Sequence, residues 1–306
     1  MPTLSIALPV YNGERYLRQA LDSLLAQSFT DFELLIADNA STDATAEIAA
    51  EYAARDPRIR YHRNPQNVGA ARNFNLAFGL TSGRYFKWVA HDDLMHRDLL
   101  LRCVEALDRD PGAVLAFTRS RIIDEDGRPL SDYEYALGTE SPSAAARFGA
   151  LLEYHRCFES FGVIRRDALE QTRLIGSHAH GDGVLLAHLA LLGRFVEIPE
   201  FLFFPRKHGE QSSTMVGDYW SYAKWFNPEL NGKRTYPHWR LFTEYLRTVL
   251  FARAPLSDRA QALAVLSRVI ARRRALLRGD LLFYLRPRLV AAGVPERVLS
   301  RSPRVR

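Results

Sequence analysis

The chain has 306 residues, 47% apolar and 25% charged, which excludes a largely disordered polypeptide and allows one large domain or one and a half smaller ones. Its two cysteines, Cys103 and Cys157, exclude a disulfide framework, and such economy fits a reducing cytoplasm. The net charge of +6 is unevenly placed: residues 251–306 hold thirteen arginines and three acids, a net +10, while the rest carries −4, so arguments about anionic partners belong to that tail.

Residues 1–11 lack a basic region and a long apolar core, so no signal peptide is expected. No apolar run reaches the ~20 residues that span a bilayer. Leu4–Val10 is a short apolar run ending at Asn12-Gly13 and reads as a buried strand followed by a turn. Glu14–Gln27 has apolar pairs at helical spacing. Phe32–Ala37 reads as a second buried strand. Asp38–Asp43 is a polar loop in which Ser41 or Asp43 can cap a helix over Ala44–Arg55. Strands at Ile59–His62 and Tyr85–Ala90 enclose a helix over Gly69–Leu80; a helix over Arg97–Asp108 and a strand over Val114–Thr118 follow.

This alternation implies a mostly parallel α/β sheet covered on both faces, with ligands bound beyond the carboxyl ends of its strands. The loops to inspect are therefore Tyr11–Glu14, Asp38–Asp43 and His91–Leu94, all polar. The pattern then changes. Asp126-Gly127 signals a hairpin, Ser143–Tyr154 a helix, Phe161–Ile164 a strand, Gly183–Leu192 a helix and Phe195–Phe204 an extended segment. Aromatics are dense over Tyr219–Tyr245, and Ser257–Arg278 reads as one mixed arginine and apolar helix.

Asp92-Asp93 stands just past a buried strand. Adjacent carboxylates repel, so a site that keeps both ionised needs a cation, and a hard divalent ion on one or two carboxylates suits a phosphate-bearing substrate. The same pair reads equally as the acidic start of the next helix. Asp38-Asn39 can meet a nucleobase or ribose, or simply form an Asx turn. Tyr11 can stack on a base or line a hydrophobic rim.

In order and spacing, Leu8-Pro9-Val10-Tyr11-Asn12-Gly13, Ala37-Asp38-Asn39-Ala40-Ser41-Thr42-Asp43, Asn67-Val68-Gly69 with Arg72-Asn73, and Gly83-Arg84-Tyr85 leading to His91-Asp92-Asp93 resemble the family 2 glycosyltransferases, inverting enzymes of the GT-A fold. The resemblance is strong over residues 3–120 and weaker to about 215. It implies a Rossmann-like GT-A catalytic domain over 1–215, with a nucleotide-sugar-binding half (1–120) and an acceptor-side half (121–215), then an aromatic and arginine-rich helical extension over 216–306.

The resemblance further implies that Pro9, Tyr11, Asn12, Asp38, Asn39 and Arg72 serve the nucleotide and that Asp92 serves the donor sugar or ribose. Asp93 and His208 would be the ligands of Mn²⁺ or Mg²⁺, His208 lying in the basic loop Arg206–Ser213. The family often has an acid where Asn39 stands, so the base is left open among UDP-, dTDP- and GDP-linked donors. Asp182, at the start of the Val184–Leu192 helix, would be the general base that inversion requires. A helix start normally keeps an aspartate acidic, so this role needs desolvation.

The implied activity is metal-dependent transfer of a sugar to a glycan, polysaccharide or lipid-linked acceptor, in the cytoplasm or peripherally on the inner face of the cell membrane. The rival readings are a metal-dependent nucleotidyltransferase and a non-catalytic GT-A binding protein. The acidic loop Tyr11-Asn12-Gly13-Glu14 disfavours a triphosphate site. Tyr219, Trp220, Tyr222, Trp225, Phe226, Tyr236 and Trp239 build either an acceptor platform or a core. In the tail, Leu263, Leu266, Ile270 and Leu277 could form the apolar face of a helix lying on an anionic membrane, with Arg268, Arg272, Arg273, Arg274 and Arg278 on its polar face, or could pack on the catalytic domain. Nucleic acid is not an expected partner.

Overall fold

Leu4–Val10 (β1), Phe32–Asp38 (β2) and Ile59–Arg63 (β3) are parallel neighbours, and Tyr85–Trp88 (β4) lies parallel on the other side of β1. Helices Leu17–Leu25 (α1), Thr45–Arg55 (α2) and Ala70–Gly79 (α3) connect them. The computed structural model describes residues 2–133, 136–153, 155–209, 226–230, 233 and 235–291. Every residue of β1 is buried, as a parallel strand covered on both faces requires. Ile6 and Leu8 pack with Leu17, Leu21 and Ile48 on one face, while Ala7 packs with Ala71, Phe78 and Trp88 on the other. The helix α1 forms because Leu17, Ala20, Leu21 and Leu24 recur at the spacing that puts them on one buried stripe.

The second half completes one nine-stranded sheet in the order β3-β2-β1-β4-β8-β6-β9-β5, with β7 paired to β6. Its strands are Leu94–Met95 (β5), Ala113–Ile123 (β6), Pro129–Tyr133 (β7), Val163–Arg165 (β8) and Arg194–Phe204 (β9). Its helices are Leu99–Arg109 (α4), Ala144–Leu151 (α5), Arg166–Leu169 (α6) and Gly181–Leu192 (α7). The short β8 runs antiparallel between β4 and β6, and β6 and β9 are parallel.

Two sequence expectations change here. The strand placed at Val114–Thr118 continues to Ile123, because β9 pairs along one side to Ser120, with register shifts, while β8 and then β7 pair on the other. The strand placed at Phe161–Ile164 is a 3₁₀ turn, Phe158–Phe161, followed by β8. The hairpin at Asp126-Gly127 forms as expected, with Gly127 at φ 84°.

At the C-terminal side lie Pro237–Phe251 (α8), Leu256–Arg272 (α9) and Arg274–Ala291 (α10), so the single expected helix over Ser257–Arg278 breaks at Arg273. Leu266 is buried, and Leu263, Ile270 and Leu277 pack against the core that also holds Phe148 of α5 and Leu186 of α7. The apolar face expected to meet a membrane is therefore covered by protein. Arg272 and Arg273 reach Glu153 at 3.6 and 2.9 Å. Among the described residues, no helix is long and apolar enough to cross a membrane.

Candidate active site

The three polar loops converge at the carboxyl edge of the sheet and are tied together. The Asn12 amide N–H donates to Ser41 Oγ at 2.9 Å, and the Thr42 amide donates to Asn12 Oδ1 at 2.9 Å. The Gly13 amide donates to Thr45 Oγ1 at 2.8 Å, and the Ala44 amide to Glu14 Oε2 at 2.9 Å. Asn12 and Ala40 are held at positive φ, 52° and 62°, a strained conformation that the cross-links sustain. Tyr11 stands 46% exposed at the rim, whereas Pro9 is buried within β1.

Asp38 is fully buried. Its Oδ1 accepts the Ser41 amide at 2.8 Å, and its Oδ2 accepts the Tyr61 hydroxyl at 2.8 Å and Arg63 at 3.3 Å. This is the Asx turn that the sequence also allowed. Asn39 Oδ1 accepts from Asn64 at 3.1 Å and from the Val68 amide at 2.9 Å, and its Nδ2 donates to Asn67 at 2.9 Å. With 3% exposure, Asn39 braces the 64–68 segment. Asn73, buried behind it, donates to the Ala37 carbonyl at 2.8 Å. Arg72 extends into solvent and pairs with Glu229 at 2.8 Å.

The His91-Asp92-Asp93 triplet follows β4 and faces the segment that follows β9. Arg206, only 4% exposed, connects them. Its Nε donates to the Asp92 carbonyl at 2.8 Å, and its amide N–H donates to Asp93 Oδ1 at 2.9 Å. Its Nη1 donates to the Asp124 and Glu125 carbonyls at 3.2 and 2.7 Å, and its Nη2 to Gln19 at 2.8 Å. The guanidinium also lies 4.5 Å over the Tyr16 ring. His208 Nε2 is 2.9 Å from Asp92 Oδ2. The imidazole expected to share a cation with Asp93 thus stands on Asp92, because the bond from its own amide to Asp93 holds Arg206 so that the chain delivers His208 one carboxylate away.

The two carboxylates are driven apart in acidity. Burial and the neighbouring charge of Asp92 push the Asp93 carboxyl well above the usual carboxylate range, against the Arg206 amide and the charges of Lys87 and Arg206. Burial also opposes the charge of Asp92, but the hydrogen bond from His208 and the charges of His91 and His208 outweigh it and leave Asp92 below that range. Beneath them Lys87 is fully buried, donates to the Phe161 carbonyl and has its ammonium pushed down to about 8 by burial. His91 lies over Gly13: a Cβ there would meet the His91 ring at 2.7 Å and Val10 Cγ2 at 2.5 Å. His91 thereby sets the approach of the first loop to the third, where the sequence had assigned it no chemistry.

Asp182 opens α7. That helix has twelve residues, about 18 Å, and ends one residue before β9 begins. Because β9 runs parallel to β6, and β6 and β4 are both antiparallel to β8, the start of α7 points towards the edge that carries Asp92 and Asp93. The carboxylate is partly buried, with 26% of its side chain exposed. Burial raises its carboxyl above the usual range, although the Gly183 amide donates to it at 2.9 Å. The desolvation that a general base needs is therefore built into the fold.

Two residues of this site carry no assignment in the sequence reading, Arg206 as connector and Lys87 as counter-charge. For Lys87 the signal was a cation inside the apolar run Tyr85–Trp88. For Arg206 there was none, since its role depends on three distant segments, residues 16–19, 92–93 and 124–125. Of the aromatic group, Phe226 is core, Tyr236 and Trp239 are exposed at 38% and 46%, and Tyr219, Trp220, Tyr222 and Trp225 lie outside the described residues.

Residues 5–173 match the family model described as Glycosyl transferase family 2. The chain is 33% identical over 132 residues to chondroitin synthase of Escherichia coli, covering 43% of this chain and 19% of that one. The chain covers 40% or less of the length of the first curated relatives it matches. Among solved structures, it resembles S. aureus TarS 1-349 in complex with UDP-GlcNAc, with a TM-score of 0.59 and 17% identity over 92% of this chain and 86% of that one. It also resembles the mannosyltransferase PcManGT from Pyrobaculum calidifontis in complex with GDP-Man and Mn²⁺, with a TM-score of 0.58 and 16% identity over 95% and 79%.

Proposed function

The chain belongs to glycosyltransferase family 2 and adopts the GT-A fold, and from that premise we propose that it transfers a sugar, with inversion, from a nucleoside-diphosphate sugar to a hydroxyl acceptor in a divalent-metal-dependent reaction. What carries this reading is the pairing, at one sheet edge, of an Asp92 held acidic by the His208 imidazole with a charge-starved Asp93, the partly buried Asp182 standing at a helix start directed towards the same edge.

The donor set fits a hard cation. Burial and the charge of Asp92 push the Asp93 carboxyl well above its usual range, and a divalent ion would relieve the repulsion that does so. Asp93 and His208 are our ligands, with Asp92 on the sugar or ribose. An ion held there supplies charge neutralisation at the leaving diphosphate. The Mn²⁺ in the PcManGT complex supports a divalent ion, manganese or in its place magnesium, and the ligands of the two neighbours support a UDP- or GDP-linked donor, with a dTDP-linked one the third candidate. Tyr11 would stack on the base at the rim, with Asn12, Pro9 and Asp38 shaping its pocket through the loops they hold and Arg72 closing from α3.

Asp182 takes the proton of the acceptor hydroxyl as the oxygen attacks the anomeric carbon, and its raised basicity suits it to that task. Arg206 and Lys87 hold positive charge beneath the carboxylates without contacting substrate. The acceptor is a glycan or lipid-linked sugar of polysaccharide or cell-envelope synthesis, met through residues 121–215 and the exposed Tyr236 and Trp239 of the extension over 216–306. Peripheral contact with an anionic membrane would use the exposed Leu281, Leu282, Phe283 and Leu285 of α10 with the tail arginines.

The test is a melting screen of UDP-, dTDP- and GDP-sugars with and without Mn²⁺, since a ligand that binds only the folded state raises its stability by mass action. We expect one donor class to raise the midpoint only with metal, and Asp182→Asn to keep that shift while losing transfer. Identical shifts in EDTA would remove the metal, and normal turnover by the variant would remove Asp182 as base.

A further inference from the structure

A second cluster of potential ligands surrounds Asp182. Cys157 Sγ, His180 Nδ1 and the Asp182 carboxylate all lie within 4.8 Å of one another. The sulfur is 3.9 Å from His180 Nδ1, which is 3.9 Å from Asp182 Oδ1. Zinc bonds of about 2.0–2.3 Å to sulfur, nitrogen and oxygen set the edges of a tetrahedron at roughly 3.3–3.8 Å. The two separations from His180 Nδ1 lie just above that range, and the sulfur and the carboxylate are no more than 4.8 Å apart, so small side-chain rotations would close the set on an ion. The thiol is buried, whereas His180 and Asp182 are about one-quarter exposed, so the cluster has a floor and an entrance.

The backbone is built around these side chains. Cys157 and His180 are two of only five non-glycine residues at positive φ among the described residues, at 55° and 61°. Strain of this kind persists where surrounding structure over-determines it and gathers at functional positions. A Cβ on Gly183 would lie 2.1 Å from His180 Nε2, so that glycine leaves the space the ring occupies. His155 Nδ1 lies 3.0 Å from the Glu153 carbonyl. A carbonyl can only accept, so Nδ1 carries the proton and the lone pair of Nε2 faces the Cys157 sulfur at 3.5 Å. Such a partner orients a thiol and can take its place in a ligand shell.

We propose that Cys157, His180 and Asp182 form a second metal site, separate from Asp92, Asp93 and His208, that selects a thiophilic borderline cation of the Zn²⁺ class. A thiolate and an imidazole favour such an ion over magnesium or manganese. On binding, sulfur, nitrogen and oxygen each donate a lone pair to the ion. The thiol proton leaves to solvent, the displaced waters return to bulk, and no group is oxidised or reduced. An occupied site engages the Asp182 carboxylate, so Zn²⁺ inhibits transfer; this consequence, unlike the site itself, rests on Asp182 being the base.

The test uses the purified full chain with saturating Mg²⁺ and Co²⁺ as the probe. We expect a cobalt–thiolate charge-transfer band that saturates at one equivalent, is displaced by Zn²⁺, survives in Asp92→Asn and Cys103→Ala, and is lost in the near-isosteric Cys157→Ser. No band in the wild type, or a band that persists in Cys157→Ser, overturns the site. In turnover assays, with each protein's rate taken relative to its own rate without Zn²⁺, Zn²⁺ should suppress the wild type and leave Cys157→Ser unaffected; equal relative suppression of both overturns the inhibition. Turnover by Asp182→Asn is measured separately: if it is normal, the base assignment falls while the cobalt band still decides the metal site.

Discussion

Side by side in sequence, Asp92 and Asp93 do different work because one faces an imidazole and the other faces buried backbone and a fully buried lysine. Asp93→Asn keeps an acceptor for the Arg206 amide and removes a carboxyl that burial disfavours. We therefore expect an unchanged or higher melting temperature together with loss of metal-dependent donor binding; a fall in both would make Asp93 structural. Arg206→Ala should act in the opposite sense. It removes the side-chain donor from the part-buried carbonyls of Asp92, Asp124 and Glu125 and from Gln19, which costs about 1–3 kcal/mol, and chemical denaturation would read that loss directly. The imidazoles of His155, His180 and His188 are all pushed down to about 4 by burial. Their unfolded values sit near 6.5, so the unfolded chain binds more protons between those limits. Folding stability is thus full above about pH 6.5 and drains away as pH falls towards 4, by on the order of 3 kcal/mol per histidine at the limit. His188 Nε2 has no hydrogen-bond partner among the described residues, so His188→Leu should flatten this acid slope without loss at pH 7. A slope unchanged in the variant would assign it to other groups.

At the scale of elements, the donor edge is a set of loops whose shape depends on close approach rather than on any one ligand. Gly13 is the tightest point, with Val10 below it and the His91 ring beside it. Gly13→Ala should leave the sheet intact, seen as an unchanged far-ultraviolet spectrum, and weaken donor binding by separating the first loop from the third; unaltered donor affinity would show that the loops move independently. The 3₁₀ turn Phe158–Phe161 has a related part, since Lys87 holds its last carbonyl and Cys157 precedes it. One short element therefore touches both the acidic edge and the cluster around Asp182. The strand expected at Phe161–Ile164 overlaps it only at Phe161, Val163 and Ile164 being strand as expected, and periodicity over four residues does not fix such a boundary.

Over the whole molecule, the arginine-rich extension is part of the fold. Asp280 of α10 is fully buried, accepts the His238 amide at 2.9 Å at the start of α8 and lies 2.7 Å from His238 Nδ1. Leu266 of α9 sits in the core shared with α5 and α7. Leu266→Ala should cost about 2–5 kcal/mol and lower a single unfolding transition; a separate transition of the extension alone would argue for an independent domain. What the sequence determined alone is local and periodic: strands β1 to β4, helices α1 to α4 and the three polar loops lie where apolar spacing and turn residues placed them, since short connections leave a parallel sheet little choice of register. Tertiary structure alone decided which carboxyl is pushed up in pKa and which is held down, what Arg206 joins, where the tail's leucines are buried and that Cys157 meets His180 and Asp182. Each of these depends on burial and on contacts between segments far apart in the chain, and neither quantity is written in the order of the residues.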